Sequence, residues 1–317
     1  MDNPWINITK PEQDVRTQRV SADHPIELFY GKSPSGSYMF LYRAEHGVTI
    51  ELPDRINFGA LEYKTFNHSG HDFLVLELSE TADWELFASL CRDLEVATKE
   101  LSKDDTLVVA TIIRRLKRWQ DFLKREKNRL LSPEAQKGLL AELLFLKQEL
   151  VPTFDWEDSV SFWKGPLGAP QDFAVHDTGV EIKCQAGATT PFVRINGLDQ
   201  LDCQLSKLYL SVFTISSGDS SDPDSISLYR LVNSIRAELL GANDLTRESF
   251  EDALMQVGYH DSEEYDKKYY KEISQKVYEV RDEFPRLTRE DVSEGIDKVG
   301  YSIELHACSS YQCEIQW

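Results

Sequence analysis

Cysteine is scarce in this 317-residue chain: Cys91, Cys184, Cys203, Cys308 and Cys313 are the whole complement. Their number is odd and no Cys-x-x-Cys pair occurs, so a zinc ribbon and a disulfide framework are both excluded. Cys184 reads as core packing. Long hydrophobic runs are missing too, and the start, MDNPWINITKPEQ, has neither a basic nor an apolar leader region. A cytoplasmic protein with no membrane segment is expected. No phosphate-cradling glycine loop of the Walker type occurs, which argues against an intrinsic ATPase. Positive charge is in deficit, with 35 Lys and Arg against 54 Asp and Glu, a formal charge of −19. An acidic surface repels nucleic acid at long range. Much of that acid is localised, however, in a Ser/Asp/Pro loop at 219–224 and in the C-terminal part, so local basic surface remains available.

What is present suggests two domains, since the length exceeds that of a usual single domain. Residues 1–130 read as an antiparallel β domain with helices. Strand-like runs cover 26–30, 38–42, 48–52, 56–65 and 73–78, with Gly, Ser and Asp-rich turns between them. His68 and His71 read as a polar hairpin tip rather than a metal pair. A helix is predicted over 82–101. A second, over 106–130, buries Ile112, Leu116, Trp119 and Leu123 and carries Arg114, Arg115, Lys117, Arg118, Lys124, Arg125, Lys127 and Arg129. A solvated helix face is the plain reading of those charges. In so acidic a chain the same helix, through Arg114, Lys117, Arg118, Lys124 and Arg125, is also the first candidate for a phosphate-tracking surface.

Residues 131–317 carry the chemistry. Ser132 reads as the N-cap of a helix with the run GLLAELLFL, apolar round most of its circumference. Glu142 interrupts that run and costs energy there unless it is paired. Gly138, one turn earlier, is expected to let the backbone approach the sheet. A β-hairpin follows, turning at HDTG. With Asp177 and Thr178 as its two-residue loop, His176 pairs with Gly179 and Asp172 stands opposite Lys183. Glu181 is then a diagonal neighbour, and Asp172, Glu181 and Lys183 share one face while Val180 and Ile182 point to the core. Diagonal carboxylates about 7 Å apart can reach one hard cation. Beyond the hairpin a short helix (198–205), a strand (208–215), helices at 227–240 and 248–257, and strands at 299–307 and 313–317 are predicted. The Tyr-rich stretch 259–278 reads as core or interface more readily than as a base-stacking surface.

The order helix, three-stranded meander, helix, strand, with Pro170-x-Asp172 and Glu181-Ile182-Lys183, resembles the core of the PD-(D/E)xK nuclease superfamily. The chain also resembles an uncharacterised bacterial family assigned to that superfamily and associated with restriction-like, anti-phage gene clusters. GLLAELLFL, the WKGP turn at Trp163, QDF, VEIKC and, more weakly, FPRL at Phe284 carry the likeness, chiefly over 138–215. Gln171 separates Pro170 from Asp172, a departure that displaces only the proline. The resemblance implies an α/β (α+β) fold, with a restriction-endonuclease-like core, a β-rich N-terminal domain and an acidic C-terminal extension. It implies a DNA endonuclease in anti-phage defence that uses Mg²⁺, with Mn²⁺ as a substitute. Asp172, Glu181 and the Ile182 carbonyl then hold the metal, Lys183 is the catalytic lysine, and Glu142 supports the metal shell. The implied partners are DNA, other subunits of a defence system, and a second copy where cutting needs two centres. Two alternatives stand beside it: an inactive nuclease fold serving as an assembly subunit, and an acidic DNA mimic.

Overall fold

The computed structural model describes residues 3–50, 61–79, 84–102, 107–126, 130–186, 191–202, 205–281, 283–296 and 298–317, the side chains of 121–126 excepted. The chain divides into two compact units, Met1–Leu130 with His260–Ser262, and Leu131–Tyr259 with Glu263–Trp317.

The first unit holds a five-stranded antiparallel sheet of β1 (Arg16–Arg19), β2 (Leu28–Lys32), β3 (Tyr38–Arg43), β4 (Leu61–His68) and β5 (His71–Leu78), in the order β1-β2-β3-β5-β4. Alternation along β3 and β5 sends Met39, Leu41 and Val75 to one face. Ser69 and Gly70, at φ 53° and 80°, form the β4–β5 turn, with His68 paired to His71. Residues 48–50 form no strand, and 51–60 lie outside the described residues. The described residues of the unit also include α1 (Trp84–Thr98) and α2 (Leu107–Glu126). Asp93 on α1 links them, accepting from Trp119 Nε1 at 3.0 Å and lying 3.5 Å from Arg115 Nη1. Arg115 is therefore buried, only 1% exposed, and does not belong to the basic face.

The second unit opens with α3 (Pro133–Phe145), whose N-cap Ser132 accepts from the Ala135 N–H. The helix widens into a π-turn over Leu146–Leu150 and continues as α4 (Val151–Phe154) and α5 (Trp156–Phe162). A five-stranded sheet follows, in the order β10-β11-β9-β7-β6. Its strands are β6 (Phe173–Val175), β7 (Thr178–Gln185), β9 (Lys207–Ser217), β10 (Ser225–Ser227) and β11 (Tyr269–Glu279). Among the described residues of this sheet, β7 and β9 pair parallel and the other neighbours antiparallel. Leu139, Leu143 and Phe145 of α3 pack on Phe173, Val180, Ile182 and Phe213, together with α6 (Leu228–Glu238) and α7 (Asp244–Gln256). The other face of the sheet carries Leu208, Leu210 and Val212 against β8 (Phe192–Ile195) and β12 (Tyr301–Glu304). Both faces are covered, so the two charged residues of β7 sit in largely dry surroundings, Glu181 buried and Lys183 half-buried.

Several sequence expectations change here. The third strand of the meander, β8, pairs with β12 in a separate two-stranded sheet, while β7 takes β9 as its parallel neighbour. The helix expected over 198–205 is a single 3₁₀ turn at Leu198–Gln200. Residues 313–317 form no strand, and β12 gives way to 3₁₀ turns at Leu305–Tyr311. The acidic C-terminal part is no appendage, because β11 pairs with β9 from Tyr270 opposite Ser217 to Glu279 opposite Tyr209. Tyr265, Tyr270 and Tyr278 lie buried, as core residues. The 219–224 loop is tied down, its Asp222 and Asp224 both bound to Lys271 Nζ at 2.8 and 3.2 Å.

Candidate active site

The hairpin β6–β7 brings Asp172, Glu181 and Lys183 together, in a register different from the one the turn chemistry suggests. Val175 pairs with Thr178, Ala174 with Gly179 and Phe173 with Val180. The two-residue loop is thus His176-Asp177, with His176 at φ 52°, and counting on, Asp172 comes opposite Glu181 rather than Lys183. The slip is an even number of residues, so all three side chains still share one face. Gly179 belongs to the strand, where a Cβ would stand 3.1 Å from Leu205 Cδ1, 3.2 Å from Leu208 Cδ1 and 3.3 Å from Gln171 Cγ. Close packing, not turn geometry, requires that glycine.

Asp172 sits where β6 leaves the ladder. Its Oδ2 accepts the Ile182 N–H at 2.8 Å, replacing a backbone acceptor, while its own carbonyl accepts from the Lys164 and Gly165 N–H groups at 2.8 and 2.9 Å. Gly165 is indispensable to this arrangement: a Cβ there would stand 2.8 Å from Asp172 Oδ1 and 3.1 Å from its Cα. Gly138, by contrast, has nothing within 4 Å of the place a Cβ would take, so it is not a close-approach glycine.

Glu181 is 1% exposed. Its Oε1 accepts from Lys183 Nζ at 2.5 Å, and its Oε2 has no hydrogen-bond partner among the described residues. Burial, reinforced by the Asp172 charge and opposed by Lys183, pushes its carboxyl up to about 8. Burial also raises Asp172, against the lowering effect of the Ile182 N–H and of Lys183. Glu142, facing from α3, is pushed well above the usual carboxylate range by burial and by the Asp172 charge. The pairing its position demands is supplied by the Trp163 indole, which donates to Oε2 at 2.7 Å. Lys183 Nζ has a second acceptor, Gln200 Oε1, at 3.2 Å.

Three carboxyl groups whose charged forms are suppressed, beside one ammonium, form a site deficient in positive charge. The buried Glu181 oxygen without a protein partner is free to accept from a water or to ligate a cation. The donor set, all oxygen, suits a hard divalent ion held by one or two carboxylates and completed by water and substrate oxygens. Among the described residues no group of three or more His, Cys, Asp or Glu is disposed to enclose an ion unaided. An open site of two carboxylates is therefore the form on offer.

Trp163, Gly165, Gln171 and Gln200 were not identified as site residues by sequence reasoning. Trp163, Gly165 and Gln171 lie within stretches that carry the family likeness, whereas nothing in the pattern around Gln200 signals its contact with Lys183. Of the basic residues on α2, Arg114 and Lys117 are exposed and Arg118 is half-buried. Lys124 and Arg125 lie on the same helix, and their side chains are outside the described residues. Among the described residues no helix is long and apolar enough to cross a membrane.

A family model described as "Putative PD-(D/E)XK family member, (DUF4420)" matches residues 1–306. No curated protein and no solved structure matches the chain.

Proposed function

Because the chain belongs to this PD-(D/E)XK family over nearly its whole length, we propose that it is a Mg²⁺-dependent DNA endonuclease, with Asp172, Glu181 and Lys183 as its catalytic centre. The observation that carries the reading is the buried, unpartnered Oε2 of Glu181 beside Asp172 and Lys183. Asp172, Glu181 and the Ile182 carbonyl would hold the ion, for which Mn²⁺ would substitute. When bound, such an ion offsets charge on the phosphate and favours ionisation of a water nucleophile. Lys183 orients that water and balances charge developing on phosphorus. Glu142, anchored by Trp163, supports the metal shell from α3. The exposed Arg114 and Lys117 of α2, with Arg118, Lys124 and Arg125, track the phosphate backbone. The role is anti-phage defence in the cytoplasm, alongside other subunits of a defence system and, where two cuts are needed, a second copy.

The formal charge of −19 favours a second reading, an assembly subunit whose acidic surface docks onto a basic partner. Calorimetric titration with Mg²⁺ and Mn²⁺ separates the two. The nuclease reading expects binding that is lost in Asp172→Ala and Glu181→Gln, whereas absence of binding in the wild type supports the assembly subunit.

A further inference from the structure

The residue that interrupts the Pro-Asp pair has a structural partner of its own. Gln171 is buried, 6% exposed, and its Nε2 donates to the carbonyls of Asp199 at 2.7 Å and Gln200 at 3.4 Å. Those carbonyls belong to the 3₁₀ turn Leu198–Gln200, which sits between β8 and β9. From the same turn the Gln200 side chain reaches back to the hairpin, its Oε1 accepting both Lys183 Nζ at 3.2 Å and the Asn196 N–H at 2.8 Å. Two glutamines thus close a circuit, in which the residue before Asp172 fixes the turn and the turn fixes the lysine after Glu181. A lysine on a flexible four-carbon stem has many rotamers, and one acceptor, Glu181 Oε1, leaves it free to swing about that contact. A second acceptor defines its direction.

We propose that Gln200 is the positioning residue for Lys183, and that Gln171 holds Gln200 in place. The proposal deepens the nuclease reading and rests on it for its consequence in catalysis. It explains why the residue next to Asp172 is a buried glutamine: its amide N–H groups satisfy carbonyls that a proline or an apolar side chain would leave unpaired. With Glu181 engaged by a cation, Gln200 would still hold the ammonium toward the site. The same oxygen also accepts the Asn196 N–H, which fixes its own direction, so the task requires an acceptor oxygen at this position.

The test has two arms. In the first, lysine-ammonium NMR on ¹⁵N-lysine-labelled full-length protein looks for the protected signal that disappears in Lys183→Ala. That signal is expected in the wild type and in Gln200→Glu, which retains the acceptor oxygen, and is expected to vanish in Gln200→Leu and weaken in Gln171→Leu. Its absence from the wild type, or its persistence unchanged in Gln200→Leu, overturns the proposal whether or not the chain cuts DNA. In the second arm, metal-dependent cleavage by Gln200→Leu is expected to fall in kcat by about 10- to 100-fold, the scale of a misplaced catalytic group. KM and the thermal midpoint stay near wild type, and Gln200→Glu recovers most of the rate. A kcat equal to wild type in Gln200→Leu refutes the positioning role. Cleavage that survives intact in Lys183→Ala refutes the nuclease reading instead, leaving the NMR result to stand on its own.

Discussion

Glu181 concentrates the electrostatic problem of the second unit in one side chain. In the metal-free fold its carboxyl titrates near 8 against an ordinary value of 4.5, chiefly because it is buried. Below 4.5 both folded and unfolded chains hold the proton. As pH rises from there, the unfolded chain releases it first, so stability is lost progressively until pH passes about 8. Urea unfolding in the presence of a chelator should therefore show stability falling by several kcal/mol, up to about 5, between acid and alkaline conditions. Glu181→Gln should reduce that slope, leaving the part that the raised Asp172 and Glu142 contribute, and saturating Mg²⁺ should offset it, since the ion selects the ionised carboxylate. Two glycines give a sharper contrast. Gly165→Ala drives a methyl into Asp172, and metal affinity should drop about 10- to 100-fold, the usual consequence of disturbing what holds a ligand in place. Gly138→Ala meets nothing within 4 Å inside α3 and should instead stabilise the protein by about 1 kcal/mol. At this scale the shared face of Asp172, Glu181 and Lys183 was legible, because their alternation survives an even register slip. Gln200 was not, because its contact with Lys183 is made from a distant turn that has no pattern of its own.

At the scale of elements, the hairpin shows how a turn signal can mislead. Asp-Thr-Gly looked like the loop, yet the chain turns at His176-Asp177 and keeps Gly179 for close packing against Leu205 and Leu208. Tertiary packing outweighs local turn preference there. Helices α1, α2, α3, α6 and α7 and strands β2, β3 and β5 were readable from their periodicity, whereas β1, α4 and α5 were not read and the partner of β8 was not legible, since a short exposed-and-buried alternation fits β12 as well as it fits β7. Strand β11 was hidden for another reason: its burial pattern mixes Tyr270 and Tyr278 with half-exposed charged residues, so its sequence resembles a polar segment more than a sheet strand. Between α4 and α5 the chain passes through Asp155 at φ 80° and ψ 175°, a conformation suited to glycine. Its side chain caps α5 by accepting from the Asp158 N–H at 3.1 Å. Replacing the cap by glycine costs only a few tenths of a kcal/mol, while the backbone strain it relieves is of order 1–3 kcal/mol. Asp155→Gly should therefore raise the unfolding free energy by about 1 kcal/mol, measured by denaturant midpoint; a lower midpoint would show that the conformation carries no strain.

For the whole molecule the governing quantity is charge. With a net −19, long-range attraction to DNA is absent and binding must rest on local cationic surface. If α2 supplies it, replacing the exposed Arg114 and Lys117 together by alanine should weaken DNA binding about equally for all sequences. It should also reduce the slope of log affinity against log salt by about 2, one for each lost phosphate contact. An unchanged slope would assign the grip to other residues or to a partner protein. All of this depends on the centre in the second unit being a working one. The measurement that bears on it most directly is incubation of purified protein with unmodified phage and plasmid DNA, with and without Mg²⁺ or Mn²⁺, alongside Lys183→Ala and Asp172→Ala. The expected result is metal-dependent cutting by the wild type that disappears in both variants. Cutting that persists undiminished in either variant would contradict the assignment of the catalytic centre.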